Sequence, residues 1–273
     1  MKRALWLLCA LAAAPAAAEE LPLWELGVGV GGFALPDYRG SDQARGYVLP
    51  VPYVVYRGDF LKADRRGIRG ELFDTERVEL NISVAASLPV NSSRNDARAG
   101  MPDLRPSFEL GPSLELALWR SRDGRDLLEL RLPLRAAFTL EASPEHIGWV
   151  ATPNLNLDLA GRGALSGWNF GLLAGPVYGS RRQHEYFYGV APQFATPARP
   201  TYAAPGGYAG FQFLAAASRR FAGFWVGAFV RADTLSGAAF EASPLVKRDT
   251  YVAAGAGIAW VLGVSRERAE AAE

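Results

Sequence analysis

From Leu128 to Leu140 the chain alternates without a break. Leu128, Leu130, Leu132, Leu134, Ala136, Phe138 and Leu140 share one face of an extended strand, and Glu129, Arg131, Arg135 and Thr139 share the other. Side chains point to opposite faces in turn, so this segment needs an apolar medium on one side and a wet, charged one on the other. A strand buried on both faces would be apolar at nearly every position, and a solvated one rarely carries so many leucines in a row. The wall of a transmembrane barrel satisfies both faces, with lipid outside and a polar lumen inside.

The same period of two recurs along the chain. Val78, Leu80, Ile82, Val84 and Ala86 oppose Arg77, Glu79, Asn81 and Ser83; Phe108, Leu110, Pro112, Leu114, Leu116 and Leu118 oppose Ser107, Glu109, Gly111, Ser113 and Glu115. Trp149, Ala151, Pro153, Leu155, Leu157 and Leu159 oppose Thr152, Asn154, Asn156 and Asp158. Trp168, Phe170, Leu172, Ala174, Pro176 and Tyr178 oppose Asn169, Gly171 and Gly175, and Phe224 to Ala232 alternates with Trp225, Gly227, Phe229, Arg231 and Asp233. Each run is close to the roughly 9 to 11 residues of a tilted membrane strand. Trp24 to Ala34 alternates with Glu25, Gly27, Gly29 and Gly31, and Tyr47 to Arg57 is apolar on both faces. Its Pro50 and Pro52 lack a ladder donor, which predicts a bulge or bend there. A short pair, Phe60 to Asp64 and Gly67 to Phe73, turns at Arg65 and Arg66; Tyr208 to Ser218 and Tyr251 to Leu262 complete about twelve strands. The fold class is therefore all-β, a transmembrane antiparallel up-and-down barrel with the even strand number of bacterial single-chain barrels.

Connection lengths support the same reading, because such barrels have short inner turns and longer outer loops. Short connections fall near Gly58, at Asp74 to Glu76, Ser121 to Asp126, Gly161 to Leu165 and Arg220 to Ala222. Long ones fall at Leu35 to Gly46, Pro89 to Leu104, Gly179 to Gly207 and Thr234 to Asp249, with a modest one at Glu141 to His146. The longest, Gly179 to Gly207, holds Pro192, Pro197, Pro200 and Pro205 and cannot be one continuous strand or helix. It is expected to fold over or into the mouth.

Met1 to Ala18 reads as a secretory signal peptide: Lys2 and Arg3, an apolar stretch from Ala4 to Ala14, and Ala16, Ala17 and Ala18 before cleavage. The expected organisation is a cleaved signal at 1–18, a barrel at 19–264 and a polar periplasmic tail at 265–273, solvated and either a frayed helix or disordered. Cys9, the sole cysteine, lies in the signal, so the mature chain has no thiol for a disulfide, a metal or a nucleophile. The whole chain carries 29 basic and 28 acidic residues. That balance argues against a nucleic-acid partner, which selects a basic excess on one face. After the signal no run of eighteen apolar residues occurs, so no membrane-spanning helix is expected.

Parity sends Glu79, Glu109, Glu115, Glu129, Arg131 and Arg135 into the lumen from three consecutive strands. Opposite charges on neighbouring strands pair directly or diagonally. The expected role is an ion-pair network packing a narrow barrel; the alternative is a charged constriction that selects solutes. No catalytic residue is assigned. His146 and His184, the only histidines, fall in predicted outer loops, and the sets Ser143, Glu145, His146 and Ser180, His184, Glu185 lack any context that orients them. They are read as surface histidines. No metal or cofactor site is expected: pairs such as Asp37 and Asp42 are common in turns, and Gly27, Gly29, Gly31 and Gly32 lie on a strand with no following helix to hold a phosphate. Those glycines are expected to let the wall curve or to make room for bulky lumenal neighbours. Trp24, Trp149, Trp168, Trp260, Tyr56 and Tyr178 suit interfacial girdles, whereas Trp225 points inward.

Several segments carry a family resemblance. Pro36-Asp37-Tyr38-Arg39-Gly40-Ser41-Asp42, Leu49-Pro50-Val51-Pro52-Tyr53-Val54-Val55-Tyr56 and Arg57-Gly58-Asp59-Phe60-Leu61 resemble the MipA/OmpV family of outer-membrane proteins. So do Leu88-Pro89-Val90-Asn91-Ser92, Ala97 to Leu104, and Glu185-Tyr186-Phe187-Tyr188-Gly189-Val190. The likeness extends over almost the whole mature chain. It implies a barrel in the Gram-negative outer membrane, in contact with lipid and lipopolysaccharide, and brings no catalytic residues. For the family's best-known member it implies a scaffold that brings a murein-degrading lytic transglycosylase together with a murein synthase. Other members resemble solute-related surface proteins or adhesins, which leaves a small-solute channel or an adhesin as the alternative reading. One departure is that Ser265 to Glu273 follow the last strand, where such barrels commonly end on an aromatic residue.

Overall fold

The computed structural model describes residues 21–58, 61–64, 67–75 and 77–269. The expected signal segment and the turn at Arg65 and Arg66 lie outside them. A short strand β1 (Leu21–Pro22) precedes the wall strands β2 (Trp24–Pro36), β3 (Ala44–Arg57), β4 (Leu61–Asp64), β5 (Gly67–Asp74), β6 (Val78–Ser87), β7 (Ser107–Arg120) and β8 (Leu127–Thr139). The chain continues through β9 (His146–Ala151), β10 (Asn154–Ala160), β11 (Trp168–Gly179), helix α1 (Arg181–Tyr188), β12 (Gly207–Arg220), β13 (Phe224–Thr234), β14 (Thr250–Val264) and β15 (Arg268–Ala269).

Thirteen of these strands form one antiparallel sheet in sequence order, and β14 pairs with β2. β9 and β10 are two halves of one stave, because each pairs with both β8 and β11. The sheet is therefore a ring of twelve staves, paired the whole way round and least extensively at β4 and β5, which reduces the free edges a membrane cannot solvate. Pro153, with no N–H, marks the break between the two halves, where Thr152 N–H bonds the Pro133 carbonyl at 3.2 Å.

Burial follows the alternation. On β8, Leu132 and Leu134 are exposed while Glu129, Arg135 and Thr139 are buried. Leu26, Val28, Leu110, Leu155, Leu172 and Val230 are exposed in the same way on other staves. A water-soluble sheet would not leave so continuous an apolar band uncovered; a barrel in lipid does.

Two expectations are corrected. Pro50 and Pro52 cause no bulge against β2, since the register from Trp24↔Tyr56 to Pro36↔Ala44 is unbroken. The reason is direction. Arg57 N–H points to the Leu23 carbonyl on the β2 side at 2.8 Å, so by alternation the prolines sit where an N–H would point away from β2, and that ladder loses nothing. The charged end is likewise not a frayed extension as far as Ala269. Leu21 and Pro22 pair with Ala269 and Arg268, and Ser265 is buried, its N–H on the Trp24 carbonyl at 2.9 Å.

The main hydrophobic core lies at the outer mouth. Tyr38, Val90, Leu104, Tyr188, Ala204, Leu235 and Phe240 are buried together, although the loops that supply them rise from opposite sides of the ring. The mouth is thus spanned by one packed cap. The long 180–206 connection enters it through α1, whose first turn is capped by Ser180 Oγ accepting from Gln183 N–H.

Candidate functional site: the charged lumen and its capped mouth

Arg131 centres the lumenal charges. Its guanidinium lies 2.6 Å from Glu129, 3.4 Å from Glu115 and 3.6 Å from Asp158. Register explains the meeting: Arg131 is the cross-strand partner of Glu115 on β7 and of Asn154 on β10. Arg135, one turn of the pleat further out, bonds Glu109 at 2.8 Å and reaches Ser83 and Thr152, each at 3.3 Å. Asn81 ties in Glu79 at 3.1 Å, and Glu79 lies directly opposite Glu115. All six residues singled out from parity converge on this wall. Asp158, Asn81, Ser83 and Thr152 join them; parity places each inside, but only the register between staves shows that they meet. With Asp158 included, five carboxylates face two guanidiniums.

Two further clusters lie on the other half of the lumen. Near the inner end Glu25 receives Arg57 at 2.8 Å and Arg220 at 3.0 Å. Near the outer end Asp233 accepts from Arg231 at 2.7 Å, Arg39 at 2.9 Å and the Tyr251 hydroxyl at 2.6 Å. Between these clusters, Ser218 of the adjoining β12 apart, the inward residues of β2, β3, β13 and β14 are apolar, aromatic or glycine, with Trp225 facing Tyr53 at 6.3 Å and Phe33 facing Phe229 at 6.4 Å. The glycines make this possible: a Cβ on Gly31 would stand 2.7 Å from the Phe33 ring, and one on Gly227 2.1 Å from Trp225. Trp149, Trp260 and Tyr178 stand exposed on the outer surface, as membrane-girdle residues do.

At the inner turns Arg162 bridges Asp126 at 2.8 Å and Asp123 at 3.0 Å. Hydrogen bonds from Ser121 and then Arg162 hold the Asp123 carboxyl down at about 2, and Arg162, with the Ala160 N–H, lowers Asp126 as well. Both shifts favour the charged forms of the cluster.

The surface reading of the histidines is overturned for His184. It is fully buried in the cap, with Nδ1 2.6 Å from the Pro205 carbonyl and its ring 4.6 Å from Phe240. Burial lowers its pKa, and only the Pro205 contact opposes that shift. The helix that carries it has no apolar periodicity, so nothing in the sequence announces the burial. His146 opens β9 against Phe138 and Trp149. Members of both Ser/His/Glu sets are engaged elsewhere: Glu145 with Arg182, Ser180 with Trp149 N–H, Glu185 with Ala204 N–H. Among the described residues no group of three or more metal-ligating side chains is placed to hold an ion.

Arginines fasten the cap. Arg98 donates to the Phe187 and Pro102 carbonyls, and Arg199 to those of Ala97, Ala99 and Phe194. Tyr38 and Tyr188 hydroxyls donate to Leu245 and Arg39 carbonyls. The segments that carry these contacts, around Tyr38, Arg98 and Tyr188, are the ones on which the family resemblance rests.

The profile of the family described as MltA-interacting protein MipA matches residues 28–262, from the first wall strand to the last. The chain belongs to the MipA family. Among solved structures, this MipA-family barrel is similar to the COG4313 outer membrane channel from Pseudomonas putida F1. The two share 12% identity with a TM-score of 0.39, over 91% of this chain and 99% of that one. So distant a likeness says nothing about this chain's lumen. No curated protein matches the chain significantly.

Proposed function

We propose that this MipA-family barrel resides in the Gram-negative outer membrane after loss of residues 1–18 and acts there as a scaffold rather than a catalyst. Its inner face gathers a murein-degrading lytic transglycosylase and a murein synthase. The observation that carries this reading is the asymmetry of the two ends. The outer mouth is spanned by a buried, arginine-fastened cap, which opposes axial flow. The inner end presents short ordered turns, the ion-paired Asp123, Arg162 and Asp126 cluster, and the paired β1 and β15. The family's description, as an interactor of MltA, agrees with partners on that side. In this reading the Arg131 and Arg135 network packs and rigidifies the lumen.

Detergent-solubilised barrel, immobilised and challenged with purified lytic transglycosylases and murein synthases, tests the proposal. Enrichment that falls when Asp123 and Arg162 are both replaced by alanine supports it. Retention no better than on an unrelated barrel of the same size overturns it. The charged residues that line the lumen favour a second reading, a narrow channel that prefers cations where the carboxylates around Arg131 gather. Cation-selective single-channel currents from planar bilayers would move the assignment there.

A further inference from the structure

One interval of the wall has no strand-to-strand pairing. β3 meets β4 only at Tyr56 and Arg57, and β5 meets β6 only between Glu71–Asp74 and Asn81–Glu79. Among the described residues, therefore, the outer stretches of β3 (44–55) and β6 (82–87) border a space that the β4–β5 hairpin does not fill. Four strand residues rise only about 13 Å, less than half of the roughly 30 Å hydrocarbon thickness. Above the space the loop after β6 crosses to the loop after β2: Asn95 donates to Asp37 at 2.8 Å and to Ser41 at 3.1 Å, and Arg45 donates to the Arg94 carbonyl. The wall thus contains a window with a strand on either side, a hairpin below and a loop bridge above.

Three features define what fits it. An added strand fits poorly, because Pro50 and Pro52 stand where two successive ladder donors would face the window, and an edge that lacks them resists pairing. The outer rim is hydrocarbon-like: Val48, at 78% the most exposed large apolar side chain among the described residues, lies on one side with Val54, and Val84 on the other. Behind β3, the inward Phe33, Leu49 and Val51 are only partly buried, and the rings of Phe33 and Phe229 lie over Gly31 and Gly255, so that this part of the wall presents a continuous apolar surface to the lumen. A Cβ on Gly255 would stand 2.6 Å from Phe33 and 2.7 Å from Phe229. Partly exposed apolar side chains in a lumen whose two ends are charged are costly to leave against water.

We propose that the window admits an acyl chain of the surrounding bilayer lipid to this apolar belt, making the lumen a lateral lipid-binding site. The chain comes from hydrocarbon and gains little from its own transfer; the gain comes from displacing water from the belt. Glu25 with Arg57 at one end, and Arg39 with Asp233 at the other, bound the length the chain occupies. The site does not depend on murein enzymes binding the inner face.

The test uses the full barrel folded in phosphatidylethanolamine vesicles that contain a fraction of phosphatidylethanolamine with a diazirine on its acyl chain. After irradiation, adducts are mapped by peptide mass spectrometry. Expected are adducts at inward Phe33, Leu49 and Val51 alongside those at outward Val48, with inward Leu173 and Leu214 at background, since these two stand on β11 and β12, several staves away from the window. Labelling of Phe33, Leu49 and Val51 no higher than that of Leu214 overturns the proposal. Val51→Arg, checked for folding by its heat-modifiable gel mobility, is expected to suppress Phe33 adducts and spare Val48. Undiminished Phe33 labelling in that variant also counts against the site. If the variant does not fold, the wild-type map alone decides.

Discussion

Arg131 touches three carboxylates from three different staves, so its removal does more than delete an ion pair. It leaves Glu115, Glu129 and Asp158 facing one another with little water between them. Breaking a buried pair from one side is costly for that reason; Arg131→Ala is expected to destabilise the folded barrel by about 3 kcal/mol, measured by urea unfolding in lipid vesicles with tryptophan fluorescence. His184 makes the cap sensitive to acid. Its folded pKa is lowered by burial from the ordinary 6.5, so the unfolded cap takes up the proton first. The contribution of neutral His184 is complete above 6.5 and is lost as the pH falls below that value toward the lowered one. The protection factors of the α1 amides, that is, exchange rates corrected for the intrinsic pH dependence of amide exchange, are therefore expected to fall on acidification below that value. His184→Gln is expected to flatten this dependence.

Among the elements, β3 shows how one strand can be sound on one edge and blocked on the other. Its ladder to β2 runs through thirteen residues, and its prolines face the side where pairing stops after two. Pro50→Val with Pro52→Val is expected to leave the β2 pairing and the folded mobility intact while restoring two edge donors. Crosslinking in vesicles is then expected to show new dimers joined through β3, the association that free edges invite. The staves were legible in the sequence because a period of two needs no partner to be seen; Leu128 to Leu140 declares both of its faces by itself. Parity also found Glu79, Glu109, Glu115, Glu129, Arg131 and Arg135. What it could not supply was register, and register is what joins Asp158 to Arg131 and confines the β4–β5 hairpin to one end of the wall. The cap was illegible for a different reason. His184, Phe240 and Tyr38 lie far apart in irregular chain, and only tertiary packing brings them together.

At the scale of the molecule, a wall that faces lipid throughout has little interior of its own, so the cap supplies the ordinary globular core. Phe240 is fully buried, stacked 3.6 Å from Tyr188. Phe240→Ala is expected to cost the cap about 3 to 5 kcal/mol while leaving the barrel folded. Planar-bilayer recording is expected to find a nearly silent native protein and a noisier, more conductive variant. The pairing of Leu21 with Ala269 has a consequence of another kind. The first and last described strands are cross-strand neighbours, so a short link between them would close the described residues into a ring. A circular permutant that joins those residues through a few glycines, and starts instead at the exposed Gly124 turn, is expected to fold to the same barrel, read out by the same heat-modifiable mobility.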